Sequence, residues 1–212
     1  MRFDEAAARL EILPDVLPAP SDALEAILLG DPERPTRREP PTGRPGRPAS
    51  VLVLVHPDPQ GLARVVLIER ASHDGHHSGE VSFPGGKAEP EDRDEESTAL
   101  REAAEEVGLD PVSAGVRVVG RLDPLWIPVS DFAVTPVVAV AERVPVLVPD
   151  PREVVRILAP GLAEFLPERP IRIVERTVRD WPLRFGTYTV DGLTVWGATA
   201  RVLSQLGAVV AR

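Results

Sequence analysis

The chain has 212 residues, a formal charge of −9 and no cysteine. That length suits one domain with trimmings rather than two independent cores. Without cysteine there are no disulfides, no thiolate catalysis and no cysteine-ligated zinc, so any metal must sit on oxygen or imidazole; the acidic balance argues against a general grip on nucleic acid.

Taken in chain order, the pattern predicts two short helices first, over 4–13 and 21–29, the second with Ser21 as N-cap and Leu24, Ile27 and Leu28 as its apolar stripe. The first eight residues lack an apolar signal core, and no run approaches the roughly 20 apolar residues of a membrane helix. A soluble cytoplasmic protein with no membrane partner is the expectation. From Gly30 to Ala49, prolines, arginines and glycines crowd together with almost no aliphatic residue, which predicts a surface linker. Residues 1–49 are therefore read as a helical extension plus linker, and 50–212 as the main domain. Short β-branched runs predict strands over 51–55, 64–69, 116–122, 134–141 and 171–174, and helices are predicted over 95–107 and 195–206. Mixed strands around a few helices give an α+β fold, an α/β/α sandwich with the sheet between helices.

The helix over 95–107 concentrates the chemistry. The run Asp92-Arg93-Asp94-Glu95 has the spacing of a capping box, and Gly108 stands where a left-handed C′ residue belongs. Ala99, Leu100, Ala103, Ala104 and Val107 form an apolar stripe, while Glu102, Glu105 and Glu106 share the other, exposed side. Like charges at that spacing repel by roughly 0.2–0.5 kcal/mol per pair, and only Arg101 offers local relief. A hard cation would turn this repulsion into a coordination site. Three glutamates on a helix are more often a plain solvated face. The preceding loop tips the balance: Ser82-Phe83-Pro84-Gly85-Gly86-Lys87 sets two adjacent glycines where bare backbone can approach a ligand.

Together Gly86, Asp92, Arg101, Glu102, Glu105, Glu106 and Gly108 resemble the Nudix box, with two departures: Asp stands where the box has its first Glu, and eight residues rather than seven separate it from Arg101. The segments Leu67 to Ala71, His77 to Gly86, Ser130 to Val138, Pro149 to Val154 and Val195 to Ala200 are similar to the coenzyme A pyrophosphatase subgroup, which shares both departures. Asp74-Gly75 replaces the apolar-basic pair expected before the paired histidines.

The resemblance implies a Nudix fold and metal-dependent hydrolysis of a nucleoside diphosphate linked to another moiety. Coenzyme A or its thioesters would give 4′-phosphopantetheine and adenosine 3′,5′-bisphosphate. It implies Mg2+ or Mn2+ on Glu102, Glu105, Glu106 and the Gly86 carbonyl, with Arg101 orienting the glutamates. The general base would be Glu102 or, on a later loop, Glu153. Arg70, His77, Phe83, Gly85 and Lys87 are the expected substrate contacts. His73, His76 and His77 do not have the spacing of a zinc site. Trp126, flanked by prolines, is the best aromatic for a ligand wall. The expected partner is a small-molecule nucleotide diphosphate, and a homodimer stays open. Two alternatives remain: a Nudix hydrolase of ADP-ribose, NADH or another nucleotide diphosphate, and a non-catalytic Nudix-like binding module.

Overall fold

The computed structural model describes residues 1–29, 40, 42, 45–71, 79–178 and 180–212. His73, Asp74, Gly75, His76, His77 and most of the expected linker lie outside the described residues.

The elements are α1 (Phe3–Leu10), β1 (Ile27–Leu28), β2 (Arg47–Pro57), β3 (Ala63–Val65), β4 (Leu67–Arg70), β5 (Val81–Ser82), β6 (Gly85–Lys87), α2 (Glu95–Val107), α3 (Pro111–Ala114), β7 (Val116–Arg121), β8 (Leu125–Ile127), β9 (Phe132–Ala141), β10 (Val154–Leu158), β11 (Arg172–Val178), β12 (Trp181–Val190), β13 (Leu193–Val195) and α4 (Gly197–Val210). A mixed sheet runs β3-β2-β9-β7, with β6 added beside β2 and β8 beside β9. Its central pair, β2 and β9, is parallel over nine positions from Arg47↔Phe132 to Val55↔Val140. A parallel pair covered on both faces needs an apolar run, which is what Val51–Val55 and Val134–Ala141 supply.

Strand alternation sorts this sheet's side chains between two cores. Leu52, Leu54, Val137, Ala139 and Ala141 pack on α2 through Ala99, Ala103 and Val107. Val66, Ile68 and Val154, from the segment around β4 and the start of β10, join the same cluster, so the helix is held between two sheets. Val53, Val55, Val138 and Val140 face the other way, onto Ala6, Leu10, Leu203 and Leu206 of α1 and α4. Fully burying one such Leu or Val is worth about 1.5–3 kcal/mol. The result is the expected α+β architecture with a mixed sheet between helices.

Three local expectations are corrected. Residues 21–29 are not a helix: a short 3-10 turn at Asp22–Leu24 is followed by β1, which pairs with Leu183 and Arg184. Ser21 still caps, accepting from the Ala23 N–H. The boundary expected between 49 and 50 falls inside β2, which starts at Arg47, and α1 shares the main core through Ala6 and Leu10. Ala104 is exposed, and Thr98 takes its place in the buried stripe. Among the described residues no helix is long and apolar enough to cross a membrane.

Candidate active site

Helix α2 is fixed at both ends. Asp94 is its N-cap, accepting from the Ser97 N–H while the Ser97 hydroxyl receives the Asp94 N–H; the box expected at 92–95 thus sits two residues later. At the other end Gly108 adopts φ 62°, a conformation glycine enters without a Cβ penalty. The carbonyls left over there are capped by a distant loop: Val148 N–H donates to Val107 O and Asp150 N–H to Glu106 O, both at 2.9 Å.

Displaced from the cap, Asp92 has another task. Its carboxylate receives Arg101 Nε at 3.0 Å and Nη2 at 2.9 Å, a two-pronged pair, and also the Thr98 hydroxyl and the Glu89 N–H. Arg101 and these donors hold the Asp92 carboxyl well below the usual carboxylate range. The same guanidinium reaches Glu102 at 3.0 Å, Glu105 at 3.2 Å and the Lys87 carbonyl at 3.1 Å. Arg101 therefore ties the helix to the glycine loop. Asp92 was absent from the expected site residues, although its place in the box marked it.

The three glutamates do not share one exposed face. Glu105 is 60 % exposed, Glu102 is 13 % and Glu106 only 2 %. Held between two sheets, the helix turns Glu106 inward, where Oε2 accepts the Gly85 N–H at 2.9 Å and Oε1 the Arg70 guanidinium at 3.1 Å. Burial pushes the Glu106 carboxyl up to about 7; Arg70 and the Gly85 N–H oppose the rise, while Glu102 and Glu153 add to it. Glu102 is raised as well, first by burial, with Arg101 opposing and Glu105 and Glu153 adding.

Gly86 lies directly against Glu102. A Cβ at residue 86 would stand 2.5 Å from the Glu102 carboxyl carbon. Glu153 is exposed but near enough to act on both Glu102 and Glu106. Its backbone bridges the site, with the Glu153 N–H donating to Asp150 O and the Glu153 carbonyl accepting from Ala71 N–H at 2.7 Å.

The expected substrate contacts fare unevenly. Arg70 is engaged with Glu106, and the Gly85 N–H is spent on the same carboxylate. Phe83 is 2 % exposed and belongs to the core, so its ring packs and does not face a ligand. Lys87 is exposed at the rim, 3.7 Å from Glu89. Trp126 is pinned by its indole N–H to Asp131 at 3.0 Å and leaves no room for a side chain at Gly46. A cavity of about 460 Å³ lined by Phe165, Arg169, Arg172 and Tyr188 contains none of these residues.

Among the described residues no three carboxylate or imidazole groups converge on a point; Glu102, Glu105 and Glu106 are each held by an arginine. The donor set nevertheless fits a hard divalent cation. It is all oxygen, it carries more acid than base, and the bare backbone of Gly86 shares one small space with the Glu102 carboxylate.

Comparison with known proteins identifies the family. The NUDIX domain model matches residues 46–165. The chain is similar to Nudix hydrolase 15, mitochondrial, of Arabidopsis thaliana, at 35 % identity over 82 % of this chain and 62 % of that protein. It is also similar to an uncharacterized Nudix hydrolase NudL of Pectobacterium atrosepticum, at 37 % identity over 79 % of this chain and 86 % of that one. This chain belongs to the Nudix family. Its fold is similar to that of a Nudix hydrolase from M. smegmatis, RenU, with a TM-score of 0.54 and 23 % identity over 79 % of this chain and 88 % of the other. The chain spans about three-fifths of the length of the Arabidopsis relative.

Proposed function

We propose that the chain is a metal-dependent diphosphatase that cleaves a nucleoside diphosphate linked to another moiety, with coenzyme A or its thioesters as the substrate. The observation that carries the hydrolase reading is the placement of Glu102 against Gly86 beside a buried Glu106, on a helix that resembles the Nudix box and lies within the matched NUDIX domain. The subgroup segments around Arg70, Gly86, Thr135 and Glu153 support coenzyme A. The chemistry lies in the domain from about residue 50 onward, with the N-terminal helix as a buttress and the cytoplasm as the location.

Glu102, Glu105, Glu106 and the Gly86 carbonyl would hold Mg2+ or Mn2+, which supplies neutralisation of the diphosphate oxygens and acidifies the attacking water. Arg101 holds Glu105 and keeps Glu102 against the glycine loop, while Asp92 keeps Arg101 in place. Glu102 accepts the proton of the attacking water as its oxygen bonds to phosphorus and the bridging P–O bond breaks; a carboxyl raised by burial is suited to this. Glu153 is the alternative base, and Glu153→Gln separates the two. Lys87 at the rim steers the anionic substrate.

The test is product analysis by mass after separate incubation with coenzyme A, ADP-ribose and NADH, each with Mg2+ or Mn2+. The expected result is metal-dependent 4′-phosphopantetheine from coenzyme A. Cleavage of the other two instead would keep the hydrolase and attach the altered specificity to Asp74-Gly75. Absence of any cleavage would leave a binding module.

A further inference from the structure

A carboxylate as enclosed as that of Glu106 needs a cation beside it or must give up its charge. Among the described residues the guanidinium in contact is that of Arg70, at 3.1 Å. Among the described residues the other charged groups acting on Glu106 include Glu102 and Glu153, both acids, and Arg101 is committed to Asp92, Glu102 and Glu105. Of the two carboxylate oxygens, Oε2 accepts the Gly85 N–H and Oε1 the Arg70 guanidinium, so an ion binding through Oε1 has to share it with Arg70 or displace it. A divalent ion on Oε1 would face a guanidinium at contact distance, and like charges that close in a poorly solvated place repel strongly. Arg70 has somewhere to go. It ends β4 at the surface, 22 % exposed, and a long basic side chain keeps its stem packed while its head turns to water.

We infer that Arg70 holds the place of the metal, neutralising Glu106 in the metal-free protein and leaving that carboxylate on metal loading to meet the substrate's diphosphate. The inference rests on the metal reading proposed above. It makes Arg70 a competitor of the ion, not a helper, and competition has a sign that can be measured.

The experiment is calorimetric titration of Mn2+ into the full chain, wild type and Arg70→Met, with melting curves before and after. Metal-free Arg70→Met melts below wild type, because Glu106 has lost its counter-ion. It binds Mn2+ roughly tenfold more tightly, since no arginine has to be displaced, and gains more in Tm from the ion than wild type does. Equal or weaker Mn2+ binding by Arg70→Met would overturn the inference, because Arg70 would then share Glu106 with the ion. Should that variant fail to fold, Arg70→Lys keeps the charge but loses the planar fork; a smaller tightening is expected, and none overturns the idea. Wild type that binds no Mn2+ at all would sink the metal reading itself, and is recognised before any variant is made. The second half is read with methylenediphosphonate, a non-cleavable probe. Mn2+-loaded wild type binds it more tightly than Mn2+-loaded Arg70→Met, whereas the metal-free proteins bind it alike; equal affinity with Mn2+ present overturns the hand-over to substrate.

Discussion

Gly86 and the carboxylate of Glu102 adjoin so closely that a methyl group at residue 86 would fall 2.5 Å from the carboxyl carbon and 2.5 Å from Oε1. Gly86→Ala therefore has to push Glu102 aside. The backbone itself is little strained by the change, so a loss of only a few degrees in Tm is expected, while kcat falls about 100-fold because the proposed base is displaced by roughly an ångström. Steady-state kinetics beside a melting curve check this; wild-type turnover in Gly86→Ala would refute the placement of Glu102.

Glu106→Gln removes a negative charge without changing shape. On the proposed metal assignment, metal-dependent turnover is expected to fall by at least ~1,000-fold, since the ion would lose its most buried anionic ligand. The neutral amide is easily enclosed, and the protein should still melt cooperatively. Turnover near wild type would show that Glu106 serves only as the partner of Arg70.

Arg101 and Asp92 act as one device, joined at 3.0 and 2.9 Å. Arg101→Lys cannot grip Asp92 and two glutamates together, and kcat should drop about 10- to 100-fold with KM nearly unchanged. Asp92→Asn should cost less, and the double variant little more than Arg101→Lys alone, as befits residues in one network. Fully multiplicative losses would mean that the two act separately.

His56 is buried at 6 % exposure, and burial lowers its pKa from 6.5 even though its ring bonds the Pro57 carbonyl. The unfolded chain then takes up a proton that the folded one refuses. His56's contribution to stability is complete above about pH 6.5 and is lost as the pH falls below it. Denaturant midpoints measured from pH 7.5 to 5 should decline less steeply in His56→Asn than in wild type. Identical slopes would exclude the imidazole as the cause.

Helix α2 was legible because every local signal agreed: the apolar positions Ala99, Ala103 and Val107, an acidic start and Gly108 all mark the same 13 residues. The glutamates were legible as a set but not one by one. Glu106 follows Ala99 by seven residues and Ala103 by three, which sets it beside the apolar stripe, but only β4 and β10 closing over that side enclose it. The same limit explains β1: Leu24, Ile27 and Leu28 have helical spacing, but pairing with Leu183 and Arg184, more than 150 residues away, decides the matter. The loop from Val148 to Glu153 offered Glu153 as a candidate, but its hydrogen bonds to the end of α2 depend on carbonyls that no side-chain pattern displays.

Those hydrogen bonds also divide the segment after β9 into two parts with different freedom to change. Glu142 and Arg143 are tied by their amides to the Gly115 and Ala114 carbonyls and Leu147 packs on the core beneath the helix, so it is the exposed stretch from Val144 to Val146 whose length can vary without moving Glu153. From Val148 onward each residue is counted: the amides of Val148 and Asp150 lock to Val107 and Glu106, and the Glu153 carbonyl locks to Ala71. Inserting one glycine between Val144 and Val146 should leave the position of Glu153 as it is, while the same glycine between Asp150 and Glu153 should throw the acid out of line with its two neighbours. The end of the helix thus works as a ruler for the loop, and variation in this stretch can accumulate only on the side the ruler does not measure.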